Sequence, residues 1–160
     1  MVKSVLLKNK RAGLIFSVLT IAAISFCFTR HMDEQEMLTW GNKCLMQSFD
    51  PSTDTKLKKW ELELTPDAFL RMRKTYQNGK QEYFSLHLHR MVDMSYLGTT
   101  DAGTLQLQTI ADDIIVQTYK DKKGDLDTLA TTLSIPVKNM QPERLDSLRT
   151  VLEYFKAKEL

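Results

Sequence analysis

Two histidines one residue apart, His87 and His89, are the side chains best placed to do chemistry in this sequence. On a β-strand, residues two apart share a face, so both imidazoles would point the same way. Asp93 continues that face if the strand stays regular. Two imidazoles and a carboxylate are ligands suited to zinc or another transition metal. The plainer reading is that they are polar residues on the solvent side of a strand whose other side is core. No second cluster supplies the missing ligands, so the plainer reading is preferred and metal binding is kept as the weaker alternative.

Other candidates fall in the same way. Asp121, Asp125 and Asp127 could hold calcium, but their spacing is not that of a calcium loop, and Lys120, Lys122 and Lys123 sit among them. A solvated hairpin loop explains them better. Asp112 and Asp113 are adjacent at a turn and point apart, which does not suit paired-carboxylate hydrolysis. The six glycines form neither a nucleophile elbow nor a phosphate-binding loop. These patterns predict no catalytic residue, no cofactor and a protein that is not an enzyme.

A second kind of site would be apolar. Tyr76, Tyr83, Phe84, Met91 and Met94 could line a cavity inside a curled sheet, as in an exported carrier of a small apolar ligand. Methionines and aromatics more often simply fill a core.

The elements that would position these residues follow from periodicity. Asp33 to Gln47 reads as a helix, with Met37, Trp40, Cys44 and Leu45 near one face and Gly41 weakening it. Asp50-Pro51-Ser52-Thr53-Asp54 is a break. From Lys59 to Thr65 the period becomes two, with Trp60, Leu62 and Leu64 inward and charges outward. Ala68 to Tyr76 is a less regular strand, and Asn78-Gly79 is a strong hairpin signal. A long strand starts at Glu82 and runs toward Tyr96, with a bend near Met91. Phe84, Leu86 and Leu88 share one face and Tyr83, His87 and His89 the other. Thr104 to Thr109 is a strand. Ile114 to Tyr119 is a β-branched run expected to be central and buried on both sides. Leu129, Leu133, Ile135 and Val137 mark one more strand, which Pro136 places at an edge or near its end. The chain closes with a helix opened by Pro142, whose Leu145, Leu148, Leu152 and Phe155 recur at three and four residues. Glu143 and Lys156 suit its dipole.

Short connections make the sheet mainly antiparallel. The fold class is therefore α+β: a curled sheet of six to seven strands covered by a C-terminal amphipathic helix. A meander closed by a helix resembles the pleckstrin-homology superfold and, less closely, the lipocalins. The likeness is one of element order and implies no function.

Before this domain lies a different kind of sequence. Residues 1–11 carry Lys3, Lys8, Lys10 and Arg11 and no acid; residues 12–28 carry no charge. As a helix those 17 residues span roughly 25 Å, near the lower limit for crossing a bilayer core. The basic tip is expected to stay cytoplasmic and the rest to be exported. Ala23 and Ser25 would suit cleavage before Phe26, giving a secreted or periplasmic product. Bulky Phe26 and Phe28 favour an uncleaved single-pass anchor instead. Residues 29–55 are then a partly helical connector and 56–160 the globular domain.

Charge and cysteines narrow the partners. The chain has 22 basic and 20 acidic residues; setting aside the four at the tip leaves 18 against 20. A near-neutral domain has no basic footprint for nucleic acid. Cys27 and Cys44 are the only cysteines, so no disulfide framework stabilises the domain. With a helical connector they would lie about 25 Å apart by rise alone, beyond disulfide reach. Cys44 is expected as a buried free thiol; the alternative, the crosslink of a homodimer, is not favoured. The reading is a membrane-tethered, non-catalytic accessory or interaction domain, held through residues 12–28 and docking an unidentified protein by an exposed face or edge of the sheet.

Overall fold

The structure, a computed structural model, describes residues 32–158. The expected membrane or signal helix over residues 12–28 and the possible cut before Phe26 lie outside the described residues. No helix among the described residues is long and apolar enough to cross a membrane.

The domain is α+β. Helix α1 (Glu34–Ser48) leads through a 3-10 turn at Pro51–Thr53 into β1 (Leu57–Leu64), β2 (Phe69–Tyr76) and β3 (Gln81–His87). A second 3-10 turn, Leu88–Arg90, separates β3 from β4 (Met91–Gly98). Then come β5 (Ala102–Thr109), β6 (Ile114–Tyr119), β7 (Asp127–Ala130), β8 (Thr132–Lys138) and helix α2 (Pro142–Ala157). Every strand pair is antiparallel.

The expectation of one curled sheet is corrected. There are two sheets, of five strands in the order β1-β2-β3-β6-β7 and of three in the order β4-β5-β8. The reason lies at three corners. The chain leaves the larger sheet at Leu88–Arg90, re-enters it after Ile110–Asp113, and leaves again at Thr131. Strands that switch sheets at bends or bulges are the usual way to build such corners. The same corners raise the strand number from six or seven to eight. The run Glu82–Tyr96 is cut at the first corner, and Leu129–Val137 at the third.

The corners also correct two burial expectations. Ile114–Tyr119 was expected to be buried on both sides. As β6 it does lie between two strands, but Ile115 is 38% exposed because no layer covers that face. Leu129 is 54% exposed while Leu133, Ile135 and Val137 are core: the period of two continues, but the change of sheet turns Leu129 outward.

One core lies against the inner faces of both sheets and the two helices. Leu62, Leu64, Leu70, Met72, Leu86 and Ile114 enter it from the larger sheet, and Met94, Leu105, Leu107, Leu133, Ile135 and Val137 from the smaller. Helix α2 adds Leu148, Val151, Leu152 and Phe155, the apolar stripe its spacing predicts. Within the stretch read as a connector, α1 also joins this core through Leu38, Cys44 and Leu45. Gly41 is where α1 comes closest: a methyl group there would lie 3.0 Å from Val151 Cγ1 and 3.3 Å from Leu64 Cδ2. The glycine that weakens the helix locally thus permits its packing.

Candidate functional site

The outer face of the five-stranded sheet is the largest built arrangement of functional side chains. The register sets them in rows across the strands. One row runs Glu61, Arg73, Tyr83, Gln117 and Asp127; the next runs Glu63, Arg71, Ser85, Ile115 and Leu129. A third holds Lys59, Thr75, Gln81 and Tyr119. Alternation along each strand dictates this, because the partners at even positions are the core.

The face is organised by polar and ring contacts. Arg73 Cζ sits 5.8 Å from the centre of the Tyr83 ring. Tyr119 donates to Gln117 Oε1 at 2.8 Å, and Gln117 Nε2 donates to Asp127 Oδ1 at 3.2 Å. Two shallow clefts open here: about 350 Å³ between Arg73, Gln81, Tyr83, Gln117 and Tyr119, and about 260 Å³ beside Glu61, Glu63 and Arg71.

At one end of the face a column of rings forms. Arg71 Cζ lies 5.0 Å over the Phe69 ring, Phe69 stacks on His87 at 4.5 Å, and His87 stacks on His89 at 4.6 Å. Partial burial pushes the His87 imidazolium pKa below the ordinary value, and the neighbouring His89 and Arg90 add to this, with Asp67 opposing. Arg71 Nε and His87 Nε2 are shielded from solvent with no hydrogen-bond partner among the described residues.

This geometry bears on the metal candidates. The structure brings His87 and His89 together, but as nearly parallel rings, 11° apart. Imidazole lone pairs lie in the ring plane, so in this stack they run side by side and do not converge on one ion. Asp93 falls on β4, in the other sheet. No group of three or more His, Cys or carboxylate residues among the described residues is placed to hold a metal. The acidic loop is occupied by its own chain: Asp125 Oδ1 accepts from Asp121 N, Asp121 Oδ1 from Lys123 N, and Asp121 also pairs with Lys80 at 2.9 Å.

The five apolar candidates fall in three places. Met91 and Met94 are core, Tyr83 is on the outer face, and Tyr76 and Phe84 are half-buried on the inner one. Tyr76 does line a cleft of about 550 Å³, but its companions are Asp54, Lys56, Gln77, Asn78, Lys80 and Glu82. Tyr76 donates to Glu82 Oε2 at 2.7 Å. Burial and that bond hold the phenol pKa above its ordinary value. Lys80 lies between Glu82 and Asp121, at 3.0 and 2.9 Å, and its pKa is raised by both.

Cys44 is free and buried. Arg144 Nε donates to its Sγ at 3.3 Å, and Arg144 Nη2 to its carbonyl oxygen at 3.2 Å. This long-range contact between the helices had no signal in the sequence. Arg71 and Arg73 are legible in principle, because they alternate with Leu70 and Met72.

No protein-family model matches the chain, and neither a curated protein nor a solved structure does.

Proposed function

We propose that this chain is a membrane-tethered, non-catalytic accessory domain on the exported side, and that it docks a protein partner on the outer face of the five-stranded sheet. The tether rests on the basic tip and the uncharged run over residues 12–28. The docking reading is carried by one observation: a sheet face left open that bears Arg71, Arg73, Tyr83, Tyr119, Ile115 and Leu129. Tyrosine and arginine are the types enriched where interfaces concentrate their binding energy. The charges are mixed, with Glu61 and Glu63 on one side, the arginines inside them and Asp127 at the far edge. Such a pattern suits a protein surface better than a polyanion.

Two measurements test this. Alkaline extraction of membranes should leave the full chain in the pellet with Met1 to Arg11 intact; a soluble product starting near Phe26 overturns the tether. A photo-crosslinking residue in place of Gln81 should then trap a protein partner in intact membranes. Arg73→Ala and Tyr83→Ala should each weaken that capture by about 2 kcal/mol, roughly 30-fold, whereas Gln106→Ala on the other sheet should leave it unchanged. Equal effects from all three overturn the site.

A further inference from the structure

The cleft of about 350 Å³ on the outer face of the larger sheet holds a single charged side chain, Arg73. Its walls come from three neighbouring strands: Arg73 from β2, Gln81 and Tyr83 from β3, and Gln117 and Tyr119 from β6. The register sets Arg73, Tyr83 and Gln117 in one row and Gln81 and Tyr119 in the next. Each of these strands lies between two others, so the ladders engage its backbone groups and recognition in the cleft falls to side chains.

Arg73 is exposed, and its bonding capacity is unused. The guanidinium packs on the Tyr83 ring, 5.8 Å from its centre. Stacking engages the flat face of the group and leaves the five N–H donors at its edge. Among the described residues Arg73 has neither a hydrogen bond nor an ion pair. The acids of its own row are engaged elsewhere. Glu61 accepts from Lys59 Nζ at 2.6 Å. That bond is the main cause of its lowered carboxyl pKa, and Arg73 is the least. Asp127 Oδ1 accepts from Gln117 Nε2 at 3.2 Å, and Gln117 Oε1 accepts from Tyr119 at 2.8 Å. The other four lining residues are neutral, so nothing in the cleft supplies the negative charge that Arg73 could meet.

We propose, resting on the docking reading above, that Arg73 receives the carboxylate of an aspartate or glutamate side chain of the protein partner. Charge decides the class. One cation among neutral groups complements one singly charged acceptor. A phosphate carries about two negative charges at neutral pH and would be left undercompensated. Glu61 and Asp127, at the two ends of the row, would also repel it. The terminal carboxylate of a chain is captured by backbone N–H groups, and the paired strands offer none. A side-chain carboxylate needs only the guanidinium fork, which matches its two oxygens with two parallel hydrogen bonds.

The test uses the full chain in its membrane. Arg73→Lys keeps the charge and supplies an amine, which a carbodiimide joins to a carboxylate only where the two touch. Mass spectrometry of the product should find residue 73 linked through an amide to an aspartate or glutamate of another protein, the same one that the photo-crosslinker at position 81 traps. Gln108→Lys on the smaller sheet should give no link to that protein. In the photo-capture, Arg73→Glu should weaken trapping by more than the roughly 30-fold expected of Arg73→Ala, because it sets like charges face to face. A partner trapped at position 81 while residue 73 links only to Glu61 of its own chain, to a chain-terminal carboxylate or to nothing overturns the proposal and leaves the docking reading standing. Equal losses from Arg73→Ala and Arg73→Glu do the same. No trapping at position 81 overturns both. If the Arg73→Glu chain does not fold, the link at residue 73 decides.

Discussion

The outer faces of the two sheets are built on the same backbone logic and differ in how densely they carry charged and aromatic groups. The five-stranded face carries Lys59, Glu61, Glu63, Arg71, Arg73, Tyr83, His87, Tyr119 and Asp127; the three-stranded face carries Ser95, Leu97, Thr104, Gln106, Gln108, Thr132 and Ser134, with charge only at Asp93 and Lys138 near its ends. Both back onto one core, so burial does not explain the difference. Large charged and aromatic side chains confer selectivity through their own groups, at a cost in ordering them. A face that is mostly uncharged and polar offers fewer such groups. The contrast makes the larger sheet the better candidate for recognition through side chains.

The largest test of the contrast is whether the outer face of the smaller sheet is an outer face at all. Leu107→Ala should cost about 3 kcal/mol of stability, because its side chain is fully buried in the common core. Gln106→Ala, one residue away on the other face, should stay within about 0.5 kcal/mol in the same denaturant titration. A cost above about 1 kcal/mol for Gln106 would mean that something covers that face.

A smaller effect separates docking from folding on the charged face. Ile115→Thr removes exposed apolar surface while keeping a β-branched side chain, so stability should fall by less than about 1 kcal/mol. Capture of the partner should nevertheless weaken several-fold. Loss of stability without loss of capture would make Ile115 a packing residue instead.

The smallest effect is a pH dependence confined to the larger sheet. His87 has a folded pKa below its unfolded one, so between the two the unfolded chain binds more protons. Stability should therefore decline as pH falls through the ordinary histidine value near 6.5 and level off below the folded pKa. His87→Gln should flatten the unfolding temperature between pH 7 and 5 relative to the parent. An identical slope in both would place the titration elsewhere, since no histidine lies on the three-stranded face.

Two turns show how far the sequence could be read. Thr65–Phe69 and Tyr76–Lys80 close their hairpins with three-residue loops and similar bonds: Ala68 N donates to Thr65 O at 3.1 Å, and Gly79 N to Tyr76 O at 3.0 Å. In both, the third loop residue has a left-handed φ, 60° at Ala68 and 88° at Gly79. Asn78-Gly79 announces that conformation because glycine adopts it without steric cost. Ala68 gives no such signal. Its strain is held by what surrounds it: Thr65 Oγ1 accepts from Phe69 N, the methyl group is fully buried, and Ala68 O accepts from Leu88 N at the first corner between the sheets.

The sequence by itself determined the α+β class, the antiparallel pairing, the inward faces of β1 and β5, the edge position of Pro136 and the closing helix. Each of those rests on a period of two or near 3.6, or on a local backbone constraint, and such information lies within a few residues. Only the tertiary structure decided that the strands divide into two sheets, that β6 has an open face, and that Asn42 closes the end of β1. Nor could the sequence show that His87 and His89 stack in parallel, since the second falls in the 3-10 turn that makes the corner. A period records which side chains share a face. It does not record where a strand bends, and a bend changes what that face meets.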